Sequence, residues 1–127
     1  MLKRVLITLT AVLSVLYAQA QSADITFTKT THDFGKVKEG NDTLWVDFEF
    51  KNTGSAPLVI ADVKTSCDCT LAEWPKGPIA PGKSATIRGG YKIAGKPKGV
   101  FMKNIIIMAN TMPATTVLTL KGEIIGD

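Results

Sequence analysis

Both cysteines of this 127-residue chain fall inside one hexapeptide, Thr65-Ser66-Cys67-Asp68-Cys69-Thr70, and no other stretch gathers as much potential chemistry. On an extended strand Cys67 and Cys69 share a face and Asp68 takes the other. The roughly 6.7 Å they would span lies at the upper limit for a disulfide, with Cβ vectors that run side by side. Three states are therefore open: the backbone bends at Asp68 and a bridge closes, the thiols stay free, or they share a ligand. Two thiolates on one face suit Cu(I), with Met102, Met108, Met112 or His32 as a third donor. Zinc fits worse, because a structural site takes four ligands and the chain has two cysteines and one histidine. The familiar redox dithiol has two intervening residues and opens a helix, and neither condition is met. The plainer reading is structural, with sulfurs packed at the core edge or bridging a tight turn, since cysteine is among the most buried residue types.

Other candidates carry less chemistry. His32 could pair with Cys67 or Cys69 as base and nucleophile only if the fold brings them together, and a corner histidine bonded to its neighbours is the simpler expectation. No paired acids at an informative spacing, phosphate loop or serine elbow is present, so no residue is assigned a catalytic role and an enzyme is the least favoured class. Trp45 lies on a polar strand face beside Asp47 and Glu49, and together with Trp74 or Tyr91 it could form a partner-binding patch. The turn Lys96 to Lys98 reads as a solvated hairpin tip. Asp42-Thr43-Leu44 is similar to the short O-glycosylation acceptor of Bacteroidetes, which implies added mass on Thr43.

The elements that must position these residues alternate with period two. Ile25 to Thr30 is a β-branched first strand, and Phe34 to Gly40 a short strand or corner. Thr43 to Lys51 is the clearest strand, with Leu44, Val46, Phe48 and Phe50 on one face and Trp45, Asp47, Glu49 and Lys51 on the other. Asn52 to Pro57 turns the chain. The strand from Leu58 to about Lys64 slips between Ile60 and Val63, as at a β-bulge. Trp74 to Gly82, with Pro75, Pro78 and Pro81, is a loop. Ser84 to Tyr91, Val100 to Ala109 and Thr116 to Ile124 complete the strands. The second of these is apolar on both faces and is expected to be covered on both sides for part of its length. About seven short strands without a helical period make an all-β, antiparallel β-sandwich, with a closed barrel as the alternative. No cysteine bridge of the immunoglobulin type can staple the two sheets, because the two cysteines lie only two residues apart.

Met1 to Ala20 has the three parts of a signal peptide: Lys3 and Arg4, the apolar run Val5 to Leu16, and Ala18-Gln19-Ala20. The run is too short to span a bilayer as a helix. With no cysteine near the junction, a lipid anchor on the mature N-terminus has no attachment point. The expected mature domain is 21–127, periplasmic or secreted, without a transmembrane anchor. Cleavage lowers the formal charge from +4 to +2, a balance too small to call for nucleic acid or an anionic membrane.

Several motifs go beyond pattern. Phe34-Gly35-x-Val37-x-x-Gly40, then Phe48-x-Phe50-x-Asn52-x-Gly54-x-x-Pro57-Leu58-x-Ile60-x-x-Val63-x-x-Ser66-Cys67-Asp68-Cys69-Thr70, then Pro78-Ile79-x-Pro81-Gly82 and Gly99-x-Phe101-x-Lys103 closely resemble the bacterial immunoglobulin-like family catalogued as domain of unknown function 1573. The match spans nearly the whole mature chain. It implies an immunoglobulin-like sandwich similar to the modules of pilus chaperones and of cilium and centrosome proteins. It also implies an exported protein, and no established activity. That family usually has glycine between the cysteines; Asp68 replaces it here, and aspartate also enters the left-handed region fairly readily. The resulting expectation is a non-catalytic protein-binding module of the bacterial envelope. It would dock an envelope or secreted protein by strand addition at a sheet edge or through the cysteine loop. It needs no cofactor, the alternative being a periplasmic Cu(I)-binding protein that uses Cys67 and Cys69.

Overall fold

The computed structural model describes residues 21–126; the expected signal peptide lies outside the described residues. Eight strands run in order: β1 (Ile25–Phe27), β2 (Thr31–Lys38), β3 (Thr43–Asn52), β4 (Ile60–Thr65), β5 (Thr70–Glu73), β6 (Ser84–Lys92), β7 (Gly99–Ala109) and β8 (Thr115–Ile125). They form two four-stranded sheets, β1-β3-β6-β5 and β2-β8-β7-β4. All pairs are antiparallel except β2 with β8, which is parallel. The sheets stay open at both edges, so the fold is an immunoglobulin-like sandwich and not a closed barrel.

Period-two alternation puts the inward residues of both sheets between the layers. Val46, Phe48 and Phe50 of β3, Ile87 of β6, Ile105 and Ile107 of β7, and Leu118 and Leu120 of β8 form the main core. Tyr91, Ile93, Phe101 and Ile124 form a second cluster at one end. There the Tyr91 and Phe101 rings stack with centroids 4.5 Å apart.

The inward set of β3 is the one the sequence pattern marks, and the expected slip in β4 is a register shift between Ile60 and Asp62. Three features differ. The first predicted strand stops at Phe27, and over Thr28 to Thr30 the chain leaves one sheet for the other. β5 was not expected, because its four residues offer no alternation long enough to read. The outer face of β7 is not covered: Val100 is 83% and Met102 63% exposed, with Ile106 and Met108 half-buried. A two-layer sandwich has nothing to place over that face.

The loops at one end converge on Asn52, whose side chain is fully buried. Its Nδ2 donates to the carbonyls of Ala56 at 2.8 Å and Ile79 at 2.9 Å. Its Oδ1 accepts the Gly54 N–H at 3.0 Å and the Asp24 N–H at 3.4 Å. The main chain of Asn52 also bonds Lys83 and Gly82. Gly54 is required beside it, since a Cβ there would run into the main chain of Ser22, Ala23 and Asp24. Replacing Asn52 by Leu keeps the branched outline but strands several buried polar groups. We expect Asn52→Leu to lower unfolding free energy by on the order of 3 kcal/mol in urea titrations.

Candidate functional site

β4 ends at the edge of one sheet and β5 begins at the edge of the other, so the chain must bend between Thr65 and Thr70 to change layers. The bend brings the Cα atoms of Cys67 and Cys69 to 5.3 Å, and the two sulfurs are bonded as a disulfide. Of the three open states the structure takes the bridged turn. Asp68 makes it without left-handed backbone, since no described non-glycine residue has a positive φ.

The turn is held from several directions. Thr70 N–H donates to the Cys67 carbonyl at 3.1 Å, and Thr65 Oγ1 donates to the same oxygen at 3.3 Å. Lys92 N–H on β6 donates to the Cys69 carbonyl at 2.8 Å. Asn104 N–H on β7 reaches Ser66 Oγ at 3.5 Å. Both cysteines are half-buried and Asp68 is exposed. Cys69 packs against the second core cluster, whereas Cys67 Sγ lies 3.4 Å from Oγ1 of Thr70, a residue only 3% exposed.

Of the proposed third donors, Met108, Met112 and His32 lie away from the turn. Met108 and Met112 lie at the opposite end of β7, where Ile60 pairs with Ala109. Met102 sits on the outer face of β7 two residues from Asn104. His32 is on β2, at the other edge of its sheet, with β8 and β7 between it and β4. No cysteine–histidine pair is therefore assembled, and His32 Nδ1 instead accepts from Lys29 Nζ at 2.8 Å. Among the described residues no group of three or more His, Cys, Asp or Glu is placed to hold a metal ion.

The three aromatics do not form one patch. Tyr91 points inward and is 3% exposed; burial pushes its hydroxyl pKa up. Trp45 lies flat on the outer face, over Gly90, where a Cβ would stand 2.7 Å from the ring. The Arg88 guanidinium approaches the same ring at 4.4 Å. Trp74 follows β5 and packs half-buried against the main core, with Lys76 Nζ 3.1 Å from its ring centroid. The two tryptophans thus flank the β6–β5 edge on opposite faces.

The edge strands hold a feature the sequence did not reveal. On β1 the outward N–H of Ile25 is capped by Asp24 Oδ1 at 2.9 Å. On β4 Asp62 Oδ1 takes the Val63 N–H at 2.8 Å beside the bulge. On β2 Asp33 Oδ1 takes the Gly35 N–H at 2.8 Å where the register breaks. Three edges are thereby blunted by a carboxylate. On β5 the alternation runs differently: Lys92 N–H bonds Cys69, so Leu71 and Glu73 face β6 and Ala72 turns its N–H and carbonyl outward. Asp, Asn, Ser and Thr are the side chains that cap such groups locally, and none stands within β5 beyond Thr70.

Fold and edges together define an open immunoglobulin-like β-sandwich domain with a bridged cysteine turn at one edge. The chain belongs to the protein family of unknown function DUF1573, whose model matches residues 25–124. A comparison with curated proteins gives no match. A protein of unknown function from Porphyromonas gingivalis W83 is similar at TM-score 0.71 and 22% identity, over 82% of this chain and 48% of that one. The present chain thus spans about half the length of that relative. PapD-like domain 7 of human CEP192 matches at TM-score 0.65 and 10% identity, covering 84% and 88% of the two chains. A family 123 glycoside hydrolase from Clostridium perfringens matches at 0.64 and 11%, covering 84% of this chain and 27% of that one. At these identities the likeness is one of fold.

Two predictions arise from this geometry. A bridge across one residue removes little loop entropy, about 1.5 kcal/mol on the chain-entropy relation. The Cys67→Ser, Cys69→Ser double variant should therefore stay folded, with a smaller loss in urea titrations than Asn52→Leu. Partial burial, and then the Lys29 charge, hold the His32 pKa below its ordinary 6.5, with Asp33 pulling weakly the other way. The unfolded chain then binds this proton first, so stability present above pH 6.5 declines as pH falls through the lowered native value. Proton-detected titration should place the His32 midpoint below 6.5, and Lys29→Ala should raise it.

Proposed function

We propose that this domain is an exported, non-catalytic protein-binding module of the bacterial envelope, and that it binds by accepting an extended segment of another envelope or secreted protein along β5. The observation that carries this reading is the uncapped β5 edge in a sandwich whose other three edges are each blunted by an aspartate. A strand added there gains main-chain hydrogen bonds from Ala72, which supply affinity without sequence demand. Side chains supply selectivity. Ala72, Trp74 and Val63 are half-buried apolar groups that pack on the core at this seam, so inward residues of the added strand meet an apolar floor. On the outer face Leu71 pairs with Gly90, under Trp45. A segment with apolar residues at alternate positions fits both sides.

Export is supported by the leader-like composition of 1–20 and by a sulfur pair that is oxidised, a state that persists outside the reducing cytosol. No described helix is long and apolar enough to cross a membrane.

The test uses proline at an edge position whose N–H is not part of the ladder. Ala72→Pro deletes the outward donor while sparing the bonds to β6, a substitution edge strands tolerate. We expect the variant to keep the wild-type circular dichroism spectrum and to lose binding to a partner captured by the wild-type domain. In the wild-type complex the Ala72 amide should exchange with solvent much more slowly than in the free domain. Equal binding by Ala72→Pro, or protection at β1, β2 or β4 instead, would overturn the assignment of this edge.

A further inference from the structure

We propose that the Cys67–Cys69 disulfide is a thiol–disulfide exchange site that takes electrons from a dithiol of a partner protein. Its position argues against a stapling role, since it joins residues only two apart in sequence and links neither sheet to the other. The layers are closed by the apolar interior and by Asn52 without it. Both sulfurs belong to half-buried residues on a surface turn next to exposed Ser66 and Asp68, where a second thiol has access.

The turn also holds the two sulfurs unequally. Asn52 and Thr70 are the buried polar residues among those described, and Asn52 is spent on main-chain bonds. Thr70 aims its hydroxyl at Cys67 Sγ, 3.4 Å away. A disulfide sulfur has no hydrogen, so the hydroxyl is the donor. That contact is weak while the bond is intact and strengthens when Cys67 becomes a thiolate, because hydrogen bonds to ions are about twice as strong as neutral ones. Cys69 packs against the apolar cluster of Tyr91 and Phe101, surroundings that disfavour a thiolate. Cys67 is therefore the sulfur built to leave.

The exchange balances as follows. A partner thiolate attacks Cys69 Sγ, the S–S bond breaks, and its electron pair leaves on Cys67 Sγ, where Thr70 donates. The partner's second thiolate then attacks its own sulfur in the mixed disulfide and releases Cys69 as a thiolate. The two protons of the partner dithiol end on Cys67 and Cys69. The partner is oxidised by two electrons to a disulfide and this domain is reduced to the dithiol. Thr70 is a positioning residue here; it stabilises the leaving sulfur without bonding to the partner.

The experiment treats the folded domain with dithiothreitol at neutral pH, quenches with an alkylating reagent, and follows the fraction of two-thiol protein by mass. Native wild-type protein should be reduced without denaturant. Thr70→Val removes the donor at nearly constant shape and should slow reduction about tenfold, the effect of losing a hydrogen bond to an ion, while Thr70→Ser should react at close to the wild-type rate. A disulfide that resists reduction until the domain is unfolded would overturn the proposal, as would a Thr70→Val rate equal to wild type. A second measurement stands if Thr70→Val does not fold: in Cys69→Ser the remaining Cys67 thiol should titrate below the ordinary value of about 8.5, and a value at or above it would overturn the role given to Thr70.

Discussion

The structure depends on a single buried amide. A sandwich whose sheets have no bridge between them must close its end by satisfying loop main-chain groups that burial has removed from water. Asn52 does this with both atoms of its side chain, meeting the 22–24 entry segment, the turn after β3 and the proline loop before β6. The proline loop has no regular partner strand beyond the Leu58 to Ile79 bridge, and its Ile79 carbonyl takes a second bond from this amide beside the one from the Leu58 N–H. In immunoglobulin domains a disulfide across the layers is available for fastening; here fastening falls to hydrogen bonds and to the packing of Phe48, Phe50, Leu118 and Leu120. That leaves the cysteines without a stapling task.

An open sandwich has four edges, and each is a template for another strand. In this domain three edges share one solution, a carboxylate from the strand or just before it accepting an outward N–H. Asp24, Asp33 and Asp62 lie far apart in sequence and serve the same chemical purpose at β1, β2 and β4. At β2 and β4 the carboxylate accompanies a register break, so twist and charge act together. β5 differs because it is fixed at one end by the cysteine turn and at the other by Pro75, leaving four residues too short to aggregate freely yet long enough to pair.

Fold class was legible because inward and outward residues separate cleanly on β3, β6 and β8, and because proline and glycine mark the turns. The β4 bulge was legible from a single break in alternation. Features that depend on long-range placement were not. The early end of the first strand follows from a change of sheet at Thr28 to Thr30, where Thr28 and Thr30 keep the β-branched composition of the strand. The solvent exposure of Val100 and Met102 could not be told from burial, since an apolar outer face reads the same whether or not a third layer covers it. Tyr91 showed the converse: offered by its aromatic character as a partner contact, it lies inward in strand register with Ala85 and Ile87 and stacks on Phe101.

The cysteine turn shows why a local rule gave the wrong spacing. Strand geometry separates Cys67 and Cys69 beyond a relaxed bridge, and that holds wherever the chain continues in one sheet. Here β4 and β5 belong to different layers, so the chain cannot stay extended between Thr65 and Thr70. The same bend that carries it across shortens the Cα separation to 5.3 Å, and it brings the buried Thr70 hydroxyl to Cys67 while Cys69 goes to the apolar cluster. Bridge, donor and asymmetry are thus consequences of topology, readable only once the partners of β4 and β5 are known.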